Sequence, residues 1–162
     1  MFRSVADSLS DKFWRAIAKR LRKHLVSMPY IHGPRQRFVV GKNVILNNAT
    51  INTRGGEIRI GDHVMFGHNV SLLTGIHDYT KPAGQRVAIE DAGRDIEIET
   101  GAWIASNVTI IGPAKIGAEA VVAAGSVVVK DVAARTIVAG NPAKVIRYLL
   151  PSDLQESMRA TG

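Results

Sequence analysis

An aliphatic side chain recurs at every sixth residue over much of the chain. From Ile98 the series runs Ile98, Ile104, Ile110, Ile116, Val122, Val128 without a miss. Four residues after each stands a small or β-branched residue: Ala102, Val108, Ala114, Ala120, Ser126 and Val132. Upstream, less cleanly, Val40, Leu46 and Asn52 are in phase with one another, with Val44 and Thr50 at the second position. After a two-residue slip the rule resumes with Ile60, Phe66 and Leu72, and with Val64 and Val70. Residues 73–97 break the phase and hold Gly75, Pro82, Gly84 and Gly93, the composition of a loop thrown out from a regular body.

A period of six fits neither a lone helix, which needs apolar spacings of three and four, nor a lone strand, which needs two. It fits a short strand plus a turn, repeated. Three such units make an eighteen-residue triangular coil, in which Ile98 stacks on Ile116, Ile104 on Val122 and Ile110 on Val128. One coil cannot bury its apolar face alone, so several must stack and the ends need caps. Residues 10–26 supply one cap. Phe13, Ile17, Leu21 and Leu25 recur at four-residue spacing, with Trp14 and Ala18 beside them and basic residues filling the rest. This pattern predicts an amphipathic helix whose stripe packs on its own protein; the alternative is contact with an anionic membrane. At the other end Pro142 marks the exit from the last coil, and Ser152 with Gln155 forms a capping box for a short final helix.

The chain of 162 residues is long enough for one domain with a real core. No apolar run approaches the ~20 residues needed to span a bilayer, and no signal peptide is expected. The absence of cysteine excludes disulfides, cysteine zinc sites and a thiol nucleophile. The formal charge of +7 suits an anionic partner such as a phosphate-rich cofactor, anionic lipid or nucleic acid. Much of it is concentrated in Lys12, Arg15, Lys19, Arg20, Arg22 and Lys23. The expected organisation is a basic helical segment over 1–35, a coil domain over 36–147 with a loop at 76–95, and a tail or helix over 148–162.

Three stretches carry a resemblance: IGDHVMFGHNVSLLTGIHDY (60–79), IETGAWIASNVTIIGPAKIGAEAVVAAGSVVVKDV (98–132) and AGNPAKVIR (139–147). From about Asn43 to Arg147 the chain resembles the hexapeptide-repeat acetyltransferases, in the branch of galactoside, maltose and polysaccharide O-acetyltransferases. The resemblance implies an all-β fold: a left-handed parallel β-helix of hexapeptide repeats, with an N-terminal amphipathic helix and a short C-terminal helix. It implies a homotrimer with active sites between subunits, acetyl-CoA as acyl donor and no metal. His77 matches the family's general base, which takes a proton from the acceptor hydroxyl; neutral histidine suits that task near neutral pH. Ile76 is one residue more than the sugar acetyltransferases carry between this glycine and histidine, a TxHD form found among polysaccharide enzymes. Asn47, Asp78 and Trp103 match the acceptor side of the site. Gly67, Ser106 and Ala124 match positions along the pantetheine arm; Ser106 and Ala124 lie 18 apart, one full coil. Lys130, Lys144 and Arg147 match residues near the nucleotide phosphates, which a guanidinium fork or an ammonium suits. Asn69 reads as a structural turn residue.

Other readings are open at this stage. His63 and His68 stand five apart, but Leu73 occupies the position where a γ-carbonic anhydrase zinc site would need another histidine. A non-catalytic β-helix scaffold would fold equally well, and the basic helix carries no recognisable nucleic-acid motif. Within the enzyme reading the expected product is an O-acetylated sugar, in surface-polysaccharide or lipid-linked glycan synthesis. N-acetylation of a nucleotide-linked amino sugar or an antibiotic is the alternative. A cytoplasmic protein is expected, at the inner membrane face if residues 10–26 contact lipid.

Overall fold

Strands of two to six residues alternate with turns, and each strand of the body pairs with the strand one coil away rather than with its sequence neighbour. The computed structural model describes residues 6–86 and 93–149. Three sheets form the sides of a triangular prism. The first is built from Tyr30–His32, Thr50–Asn52, Ser71–Leu73, Thr109–Ile111 and Val127–Val128. The second holds Phe38–Val40, Ile58–Ile60, Ile96–Ile98 and Ala114–Ile116. The third holds Met65–Phe66, Trp103–Ile104, Val121–Val122, Thr136–Gly140 and Ala143–Tyr148. All these pairings are parallel except the last, where Ala143–Tyr148 folds back antiparallel on Thr136–Gly140 after Pro142. That hairpin covers the edge that a further coil would otherwise occupy, which protects an open row of backbone groups.

The six-residue rule is realised in register. Ile98 pairs across to Ile116, Ile104 to Val122 and Ile110 to Val128, and each of these is buried. Ile60 pairs with Ile98, Phe66 with Ile104 and Leu72 with Ile110. Those separations are 38 residues against the regular 18, so 20 extra residues leave the coil as the loop between Thr74 and Asp95. The first coil departs from the expected phase. Ile51, not Asn52, pairs with Leu72 and is fully buried, and Ala49 rather than Thr50 points inward. The step from Leu46 to Ile51 is five residues, one short of the repeat. The apolar isoleucine takes the inward place, while the amide of Asn52 accepts from Arg54 N at 3.0 Å.

Turns between strands need left-handed backbone, which asparagine and glycine tolerate best. Asn43, His63, Gly101, Glu119 and Arg135 occupy such positions with φ from 55° to 73°. At another corner Asn48, Asn69 and Asn107 form a ladder: Asn48 Nδ2 donates to Asn69 Oδ1 at 2.6 Å, and Asn69 Nδ2 to Asn107 Oδ1 at 3.2 Å. Asn69 is thus structural. Polar residues that replace core aliphatics are all bonded. Thr74 Oγ1 donates to Asn52 O at 2.7 Å, and Ser126 Oγ accepts from Gly140 N at 3.2 Å.

The ends differ from expectation. The helix runs over Ala6–Ser27, longer than 10–26, and the first strand of the prism already starts at Tyr30 inside the segment assigned to the helical piece. Phe13, Trp14 and Leu21 are 59%, 63% and 53% exposed, so these members of the stripe are not packed away on their own chain. Extended strand continues to Tyr148. The capping box at Ser152 and Gln155 lies outside the described residues.

Candidate active site

His77 stands where the chain leaves the first sheet, four residues past the end of Ser71–Leu73. Its side chain is exposed, and its Nδ1 lies 2.6 Å from the carbonyl oxygen of Arg86. A carbonyl can only accept, so Nδ1 carries the hydrogen and Nε2 of the neutral ring is left with its lone pair free. Arg86 belongs to the same loop and is itself held, its Nε donating to Lys81 O at 2.7 Å. The ring is therefore oriented by loop backbone. Asp78 is occupied elsewhere: its Oδ1 accepts from Thr80 N at 2.9 Å and from Thr80 Oγ1 at 2.6 Å, with Lys81 Nζ 3.5 Å from Oδ2. The Thr80 hydroxyl, then its amide and Lys81, hold this carboxyl below the usual aspartate range against slight desolvation.

Ile76, His77, Asp78, Tyr79 and Arg94 line an open cavity of about 170 Å³. Arg94 fastens both ends of the loop to the prism. Its Nε donates to Thr74 O at 3.0 Å, its Nη2 donates to Gly112 O, and its backbone N bonds Gly55 O at 3.2 Å. Sequence reading missed Arg94, Arg86 and Tyr79. Arg94 had one usable signal, its place four residues before the repeat resumes at Ile98. Arg86 had none, because it acts through its backbone.

The other residues singled out in the sequence lie at two further places. Asn47, Gly67, Ser106 and Ala124 belong to the corner that precedes each first-sheet strand. His77 lies at the corner that follows. Asn47 has φ 46° and its Nδ2 donates to Phe66 O at 2.7 Å, so its amide is tied into the turn. Gly67 lies directly under Ser106, where a Cβ would collide with the serine backbone and hydroxyl. Ser106 Oγ accepts from His68 N at 3.0 Å, and Ser106 O from Gly125 N at 3.0 Å. These side chains, Ala124 exposed among them, leave the corner free of bulk, as a linear ligand arm against backbone requires. Trp103 is 47% exposed on the outer face of the third sheet. There it stands in a register column of Ile45, Met65, Trp103, Val121 and Ile137. Lys130 follows the last first-sheet strand, and Lys144 and Arg147 ride on the antiparallel strand; all three are exposed. Among the described residues no group of three or more His, Cys, Asp or Glu side chains converges as a metal site would require.

A triangular prism of hexapeptide coils, with an imidazole on an ejected loop and a smooth corner along its edge, defines the class: a left-handed parallel β-helix of the acyltransferase kind. No family model matches the chain. A hexapeptide-repeat-containing acetyltransferase from Vibrio cholerae O1 biovar eltor, solved with acetyl coenzyme A, is 30% identical with a TM-score of 0.65, over 85% of this chain and 79% of that one. The chain belongs to the hexapeptide-repeat acetyltransferases. Galactoside O-acetyltransferase from Lactococcus lactis is 32% identical over 61% of this chain and 47% of that enzyme. Serine acetyltransferase 2 from Arabidopsis thaliana is 37% identical over 74% of this chain and 33% of that enzyme. The chain thus spans about a third to a half of the length of these two curated relatives.

Proposed function

We propose that the protein transfers an acetyl group from acetyl-CoA to a sugar hydroxyl, with His77 as general base. The observation that carries this is the imidazole itself: exposed, beside an open cavity, and fixed by Arg86 O in the tautomer whose Nε2 can accept a proton. Acetyl-CoA supplies an acyl thioester, whose carbonyl carbon the acceptor oxygen attacks. A hydroxyl is a poor nucleophile while it keeps its proton. Nε2 takes that proton as the carbon–oxygen bond forms, and the imidazolium returns it to the sulfur as the carbon–sulfur bond breaks. Gly67, Ser106 and Ala124 would lie along the donor's arm. Lys130, Lys144 and Arg147 would meet its phosphates, and all three lack an ion-pair partner among the described residues. Trp103, Asn47 and Asp78 belong to the acceptor side in this reading.

The distribution of these residues supports a homotrimer. Within one prism His77 and the smooth corner lie at opposite ends of each first-sheet strand, so one site is completed by the corner of a neighbouring subunit. The galactoside enzyme among the relatives supports a sugar acceptor; this reading places that sugar in a surface polysaccharide or a lipid-linked glycan. The likeness to a serine acetyltransferase favours a second reading, in which the hydroxyl belongs to free serine.

The test is release of free thiol from acetyl-CoA with purified protein, across panels of glycosides, lipid-linked glycans, nucleotide-linked amino sugars and serine. Thiol release that depends on a sugar hydroxyl is expected. Release driven by serine alone would establish the second reading, release driven only by an amino group would make the enzyme an N-acetyltransferase, and no acceptor-dependent release would reject catalysis. In the double variant Lys130→Ala/Arg147→Ala the KM for acetyl-CoA should rise more than kcat falls. An unchanged KM would remove these cations from the phosphate end.

A further inference from the structure

None of the residues placed at the acetyl-transfer site belongs to the helix Ala6–Ser27, so its role stands apart from that reading. At 100° per residue, Phe13, Ile17, Leu21, Trp14 and Leu25 fall within an arc of about 120°, which also takes in Asp7, Ser10 and His24. Lys12, Arg15, Lys19, Arg20, Arg22 and Lys23 occupy the remainder of the circumference. The helix has six cationic residues against two acidic ones, Asp7 and Asp11, a surplus of four out of the chain's seven. Both acids stand in its first two turns, where the helix dipole favours a carboxylate. The apolar residues face solvent: Phe13, Trp14 and Leu21 are all more than half exposed, and Met28 and Tyr30 extend the exposure past the helix end at 63% and 65%. No helix among the described residues is long and apolar enough to cross a bilayer.

We propose that this helix docks the protein on an anionic lipid bilayer, lying in the plane of the interface with the Phe13–Trp14–Leu21 face inserted and the cations at the headgroups. Large aromatic and aliphatic side chains on one face and Lys and Arg on the other are the composition that such a surface selects. Charge complementarity argues against a second copy of the chain as the occupant. Two such helices packed apolar face to apolar face would leave both cationic faces without an acidic partner. Most of the prism's described acids already have partners: Glu97 and Glu99 meet Lys115, Glu119 meets Arg135, Glu57 meets Arg59 and Asp78 meets Lys81, while Asp62, Asp95 and Asp131 accept from backbone amides.

The test is flotation of the full chain with vesicles of phosphatidylcholine alone or mixed with phosphatidylglycerol. The protein should float with the anionic vesicles and not with the neutral ones. Raising salt from about 0.1 M to about 1 M, which shortens the screening length from about 10 Å to about 3 Å, should release it. The double variant Phe13→Ser/Leu21→Ser should stay unbound at low salt, with oligomeric state and thermal midpoint unchanged. In a Trp103→Phe background Trp14 is the one tryptophan, and its emission should move to shorter wavelength on anionic vesicles. Absence of flotation, or flotation retained by the double variant, would overturn the inference. Dissociation of the assembly in the double variant would overturn it as well, and would assign the helix face to a neighbouring subunit.

Discussion

The role proposed for His77 rests on a single hydrogen bond. The Arg86 carbonyl fixes the proton on Nδ1 and aims Nε2 outward. His77→Ala should lower turnover by about 10²–10⁴, the usual worth of a general base, with little change in acetyl-CoA affinity. Steady-state thiol release measures it, and near-normal turnover in a folded variant would mean that another group is the base. A carboxylate on the prism acts on stability. Glu99 Oε1 lies 2.7 Å from Lys115 Nζ, and Oε2 accepts from Ala118 N at 2.8 Å. The lysine first, then the amide, hold the Glu99 carboxyl below the ordinary value of 4.5. A depressed folded value contributes stability that is present above the unfolded value and lost as pH falls through the folded one. Thermal midpoints should therefore drop below about pH 4.5 in the native protein and drop less in Glu99→Gln. The pair is solvent-exposed, so the difference should be small and weaker in salt. An equal acid response in both proteins would show that this carboxylate carries none of it.

Among the elements, the ejected loop is the one on which the site depends. Twenty residues leave and rejoin the coil without disturbing the register of Leu72 on Ile110, because Arg94 bonds Thr74 O at the exit and Gly112 O on the next coil. Arg94→Met keeps much of the side-chain volume and strands both carbonyls in a half-buried place, a loss of about 1–3 kcal/mol. The loop amides around His77 should then exchange hydrogen faster than those of the prism, and turnover should fall more than acetyl-CoA affinity. Unchanged loop exchange would mean that other contacts fasten the loop. The coils themselves were legible from Ile98 onward because the spacing never varies. The first coil was not, since moving the inward residue from Asn52 to Ile51 costs the spacing rule one residue and gains a buried isoleucine.

The whole molecule is a prism with an imidazole at one corner and a smooth edge at another. If neighbours complete each other's sites, two inactive proteins can rescue each other. His77→Ala lacks the base, and Ala124→Trp blocks the smooth corner. Each should be inactive alone, and each should scatter light as a trimer. After mixing through a dissociated state, roughly a quarter of the sites in random trimers pair an intact loop with an intact corner, and activity should reappear in that proportion. A monomer with full activity, or no recovery in mixed trimers, would reject the shared site.

The sequence by itself determined the coil. A six-residue aliphatic period has no other way to bury its side chains, and the ejected loop, the closing turn at Pro142 and the TGIHD histidine can be read from it directly. Only the tertiary structure decided what each polar group was free to do. Asn47 binds a neighbouring coil's carbonyl, Asp78 closes its own turn, Arg86 holds the imidazole and Arg94 the loop. The reason is physical. Core side chains answer to burial, which follows the periodicity of the chain, whereas the bonds of His77, Asn47 and Arg94 join residues nine to twenty apart whose meeting depends on how the coils stack and where the loop returns; Asp78 alone bonds locally, two residues on.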